Sequence, residues 1–137
     1  NSMSKSNNIN IFVKGKKNQF VFSISSPDFE VLYQSQSKLD VGEDISPIKA
    51  DILAIKEGLN FVKENRGNGI IPSTPIISLF TCYENNYHIC NGRKNADKFR
   101  DELKIINKIK SDLARWQGDH DHVKILWIPA GFKNLMD

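Results

Sequence analysis

The sequence predicts an α/β domain built on a five-stranded mixed sheet, its first three strands antiparallel and helices packed against it. Three observations carry this. Near the start, three segments of period-two alternation are separated only by short turns. Two later segments have helical periodicity. Each of these is followed by a short apolar run that reads as a strand.

Taken in order, "INIFVKG" (9–15) sets Ile9, Ile11 and Val13 against Phe12. "GKKN" turns the chain into "QFVFSIS" (19–25), where Phe20, Phe22 and Ile24 alternate with smaller residues. After "SSPD", the run "FEVLYQSQS" (29–37) places Phe29, Val31 and Tyr33 on one face, completing an antiparallel meander. Ser46 is then an N-cap and Pro47 the first residue of a helix reaching about Asn65. "RGNGIIPSTP" is loop. "IISLFT" is so evenly apolar that it is expected in the sheet centre, covered on both faces. "YENNYHICNG" leaves room for a short helix. The second long helix spans 95–118, with Phe99, Leu103, Ile106, Ile109, Leu113 and Trp116 as its core stripe and Gly118 as its stop. "VKILWI" (123–128) is a second buried strand.

A chain of 137 residues is long enough for one domain with a real core, without disulfides or metal. Hydrophobic content of 39% and charged content of 26% are those of an ordinary soluble globule. A net charge of +3 permits nucleic-acid contact without arguing for it. Cys82 and Cys90 make a poor disulfide framework, and no apolar run approaches the roughly 20 residues of a membrane span. An intracellular setting, cytoplasmic or nuclear, is expected, with no membrane partner. Asn1 and Ser2 before Met3 read as a tag remnant, residues 1–8 as a disordered tail, and 9–137 as the domain.

One residue resists the pattern. In "KADILAIKEGLNFVKEN", Ala50, Ala54, Ile55, Gly58, Leu59 and Val62 fall on one apolar arc, and Asp51 lies inside it. A carboxylate at the rim of a buried face, accepting a hydrogen bond near the helix start, is the plain explanation.

The segments themselves offer a second one. "KADILAIKEGL" resembles the catalytic helix of ribonuclease H, in which an acid opens an Ala- and Leu-rich helix. "INIFVKG" is similar to that family's first strand, "IISLFT" to the strand delivering its third acid, and "VKILWIPAG" to its last strand. The resemblance spans residues 10–137 and implies the ribonuclease H-like fold, with helices on both faces of the sheet. It implies an Asp51 turned toward the sheet to hold metal. In the family, four carboxylates surround two Mg²⁺ ions about 4 Å apart.

This chain departs from that set. Lys14 stands before Gly15 and Cys82 follows "LFT", each where the family has an acid. Asp51 and Asp137 remain as catalytic candidates, and Glu84, two residues past Cys82, is an alternative metal ligand beside them. The resemblance therefore implies a degenerate, non-catalytic module, without cofactor, that binds nucleic acid (an RNA–DNA hybrid or duplex) or a protein assembly. Its rival is an active Mg²⁺-dependent ribonuclease H with an atypical acid set. On the non-catalytic reading, Lys14 is expected to pair with Asp51.

Basic residues gather at Lys14, Lys16 and Lys17 and at Arg93 and Lys94, a candidate phosphate-binding rim that Lys98, Lys104, Lys108 and Lys110 would extend. Interleaved Asp97, Asp101 and Glu102 equally suit a solvated, salt-bridged face. "DHDH" (119–122) invites a Zn²⁺ reading, but four adjacent turn residues do not converge on one ion. Cys82 lacks a base nearby in sequence and reads as a buried or rim thiol rather than a nucleophile.

Overall fold

The computed structural model describes residues 7–95, 97–117 and 122–129. The expected tail before residue 7, most of the "DHDH" turn, the Trp116 side chain, Gly118 and Asp137 lie outside them. Strands β1 (Asn8–Lys16), β2 (Gln19–Ser25) and β3 (Val31–Lys38) precede helix α1 (Pro47–Glu64); β4 (Ile76–Thr81), α2 (Glu84–Cys90), α3 (Arg100–Gln117) and β5 (Val123–Trp127) follow. The sheet order is β3-β2-β1-β4-β5, with β1–β2 and β2–β3 antiparallel and β1–β4 and β4–β5 parallel. Among the described residues no helix is long and apolar enough to cross a membrane.

Period and caps account for these elements. Ser46 Oγ accepts from the Lys49 N–H at 3.2 Å and Pro47 opens α1, as expected. The pleat sends Ile11, Val13, Phe20, Phe22 and Ile24 to one face, where α1 and then α3 bury them in a single core. The described helices contribute to this core. On the opposite face Phe12 and Val21 pack with Phe80, Cys82 and Ile128, none of them in a described helix.

Three expectations are corrected. A register shift between Ile24 and Ser25 lets Tyr33 pair with Ile24 but Val31 with Ser25, so Leu32 is an extra residue. That bulge, together with a φ of 66° at Phe29, takes Phe29 out of the Tyr33 face; its ring instead lies 6.3 Å from Phe12. β4 is not fully covered on both faces: Ile77, Leu79 and Thr81 are buried while Ile76, Ser78 and Phe80 are not. β5 is likewise not buried throughout: Val123 and Ile125 are buried while Lys124 and Trp127 are exposed.

Candidate functional site

β1 and β4 are parallel and adjacent, so they end side by side, and the first turn of α2 begins next to the β1–β2 turn. The Tyr83 hydroxyl spans this junction, donating to the Gly15 carbonyl at 3.2 Å. Gly15 is required there: a Cβ on it would lie 2.2 Å from both the Asp51 nitrogen and the Pro47 oxygen. The absent side chain lets α1 rest directly on β1.

Asp51 sits in that contact, 0% exposed. One carboxylate oxygen accepts from the Gly15 N–H at 3.2 Å. The other accepts from Thr81 Oγ1 at 2.5 Å and from Asn86 Nδ2 at 3.0 Å. The Asn86 amide also donates to the Ile48 carbonyl at 3.1 Å, and Thr81 Oγ1 accepts from the Tyr83 N–H at 3.1 Å. A single carboxylate thus ties α1 to β1, β4 and α2 through neutral donors. Burial pushes its pKa up from 3.8 to about 6, against the lowering effect of the bonds from Thr81, Asn86 and Gly15.

Lys14 does not pair with Asp51. Val13 and Gly15 face α1, so the pleat turns Lys14 to the opposite face, and no ion pair joins the two among the described residues. Lys14 lies two residues beyond Phe12, Cys82 two beyond Phe80, and Phe12 and Phe80 are register partners. Lys14 and Cys82 therefore share the outer face at the sheet's carboxyl edge. Burial, and secondarily the Asp51 charge, raises the pKa of the half-buried Cys82 thiol, while Lys14 lowers it. Cys90 is buried and pushed up to about 12, an unreactive thiol.

Glu84 opens α2, exposed, with Oε2 3.5 Å from His88 Nε2 and not among the Asp51 contacts. Among the described residues no group of three or more His, Cys, Asp and Glu side chains is placed to hold a metal. An ammonium, a thiol and a carboxylate already occupied by three donors do not fit a pair of Mg²⁺ ions, which take oxygen ligands in an open site.

The basic residues divide into two neighbouring groups. Lys14, half-buried, and the exposed Lys16 and Lys17 form the β1–β2 end, with Lys17 held 3.7 Å from Asp44. Arg93 and Lys94 fold back along α2. The Arg93 guanidinium stacks 4.7 Å from the Tyr87 ring centre and bonds to His88 Nδ1 at 3.1 Å, and Lys94 Nζ donates to Asn85 Oδ1 at 2.6 Å. Lys108 belongs elsewhere: with Lys63 and Arg115 it surrounds Asp112, joining α1 to α3. The roles of Thr81, Asn86 and Tyr83 had no signal in the sequence. That of Gly15 had one, an isolated glycine in an apolar strand.

No family model and no curated protein matches the chain by sequence. Solved structures match it by shape. It is similar to LC11-RNase H1, isolated from compost by a metagenomic approach, with a TM-score of 0.75 and 12% identity over 93% of this chain and 88% of that one. The same enzyme in complex with an RNA/DNA hybrid gives 0.70 and 12% over 92% and 88%. RNase H1 from the halophilic archaeon Halobacterium salinarum NRC-1 gives 0.63 and 10% over 91% and 88%.

Proposed function

From the premise that this chain has the ribonuclease H-like fold, we propose that it acts as a non-catalytic module of that superfamily, gripping the backbone of nucleic acid. The observation that carries the reading is the state of the acid positions. Where the resemblance calls for strand acids the chain has Lys14 and Cys82, and Asp51 is spent on packing α1 against β1, β4 and α2. A site built this way meets a polyanion with a fixed ammonium instead of exchangeable dications.

The β1–β2 end and the outer side of α2 supply further cations around that ammonium: Lys16, Lys17, Arg93 and Lys94. Phosphate contacts of this kind position a duplex without reading its sequence. A structural neighbour solved with an RNA/DNA hybrid supports the choice of ligand.

The test pairs two assays on the purified chain. With an RNA–DNA hybrid in Mg²⁺ or Mn²⁺, no cleavage is expected. Binding of hybrid and duplex at low salt is expected to be sequence-independent, with log K falling by about 0.9 per decade of salt for each phosphate contacted. Metal-dependent cleavage abolished by Asp51→Asn would replace this reading with that of a hydrolase. Absence of binding to hybrid, DNA and RNA alike would remove the nucleic-acid half of it.

A further inference from the structure

Among the described residues, strand β3 is the sheet's outer edge, paired with β2 alone. Its hydrogen-bonding parity follows from one contact: the Leu39 N–H donates to the Asn18 carbonyl at 2.8 Å. Alternation then directs the backbone of Tyr33, Ser35 and Ser37 to β2 and that of Gln34, Gln36 and Lys38 outward. From Val31 to Ser37 the strand carries no charge and no proline, the devices by which exposed edges are usually blunted.

Beside this edge lies an open groove of about 580 Å³ between β3 and α1. Its floor is aromatic: Tyr33 stacks on Phe61 with ring centres 4.1 Å apart, and Phe22 lies 6.0 Å from each. Leu39 and Val41 close one end, Val41 being 60% exposed.

The charge around the groove opposes that of the chain. Asp28 and Glu30 precede β3, Asp40, Glu43 and Asp44 follow it, and Glu57 and Glu64 stand on the α1 rim. Lys38 stands against them, as do Lys17 and Lys56, which are already paired to Asp44 and Glu57 at 3.7 Å. In a chain with a net charge of +3, this edge is an acidic region. It repels nucleic acid, and it repels a second copy of itself.

We propose that the outer edge of β3 docks an extended segment of a protein partner, with alternating apolar and basic side chains, by strand addition. The outward backbone groups of Gln34 and Gln36 extend the ladder. Alternate apolar side chains of the added strand lie over the Tyr33–Phe61 groove, and its basic ones, on the opposite face of the sheet, meet the acids that flank β3, among them Glu30 and Asp40. This surface is separate from the cations of Lys14 and α2, and the proposal does not depend on the nucleic-acid reading.

The experiment titrates the isotopically labelled chain with a blocked decapeptide alternating Val and Lys, against a control alternating Val and Glu, followed by amide chemical shifts. Saturable shifts are expected at Gln34, Gln36 and Lys38 and along the groove, with the acidic control weaker by roughly tenfold. Gln36→Pro deletes one outward N–H and leaves the Ser35 and Ser37 pairing to β2 intact, so binding should weaken by roughly tenfold with the circular dichroism unchanged. Should that variant fail to fold, the exposed double variant Glu30→Gln with Asp40→Asn tests the charge half, again by weakened binding. Absence of saturation at millimolar peptide, equal binding of both peptides, shifts centred elsewhere, or concentration-dependent dimerisation through β3 would each overturn the proposal.

Discussion

The Asp51 carboxylate predicts an unusual dependence of stability on pH. Its folded pKa is about 6, against 3.8 when unfolded. A carboxyl raised on folding stabilises the native state while it is protonated, and that contribution is lost as pH climbs through the folded value. Between 3.8 and about 6 the chain therefore gives up stability. At about 1.4 kcal/mol per pH unit the loss reaches about 3 kcal/mol by neutral pH. Asp51→Asn removes the titration and keeps the shape; its amide retains one acceptor oxygen, while its NH2 faces a donor that the second carboxylate oxygen accepted from, a cost that does not vary with pH.

Urea unfolding of wild type and Asp51→Asn from about pH 4 to about pH 8, followed by circular dichroism, isolates this effect. The difference between the two proteins cancels the other carboxylates, including Asp112, whose pKa is lowered and whose pH dependence has the opposite sign. Near pH 4 the variant should be the less stable by that fixed cost. The variant should then gain on wild type as pH rises, by about 3 kcal/mol at neutrality. Parallel stability curves would show that the carboxylate carries no desolvation penalty, and that the three donors or solvent compensate its charge in full.

Other perturbations follow from the same contacts. Gly15→Ala drives a methyl group into the α1 backbone and should destabilise by about 3 kcal/mol or more, read from the urea midpoint; a neutral effect would mean α1 is free to move off β1. Asp112→Asn should lower the thermal midpoint at neutral pH and lose that effect as pH falls below the ordinary carboxylate range, because Lys63, Lys108 and Arg115 favour only the charged form. Charge reversal at Lys16 and Lys17 should weaken binding to hybrid and duplex alike, as measured by fluorescence anisotropy. Lys14→Asp combined with Cys82→Asp adds two oxygen donors on one face, so calorimetry should detect Mn²⁺ binding that wild type lacks.

Much of this architecture was legible because period and burial agree. β2, α1 and β4 have the expected limits or nearly so, since each shows a clean alternation or stripe bounded by a turn or a cap. β3 was harder. The bulge after Ile24 depends on how two strands meet, and a segment read alone carries no register, so Phe29 and Tyr33 seemed to share a face. β4 and β5 misled for a related reason: an apolar run shows that residues avoid water, not that a helix covers both of their faces.

The site itself was half legible. That Lys14 turns away from α1 was contained in the alternation of Val13, Lys14 and Gly15 once α1 is set over Gly15. The donors to Asp51 were not, because Thr81 and Asn86 lie on other elements and reach it only in the fold. Their chemistry explains why an aspartate is kept on an apolar arc. A hydrophobic residue at position 51 would strand the Gly15 N–H and two side-chain donors in the core, each at a cost of about 1–3 kcal/mol. The carboxylate is thus better retained than replaced by an apolar residue, even where it holds no metal. An acid at this helix position is on its own weak evidence of catalysis, and the discriminating residues are the two on the outer face, Lys14 and Cys82.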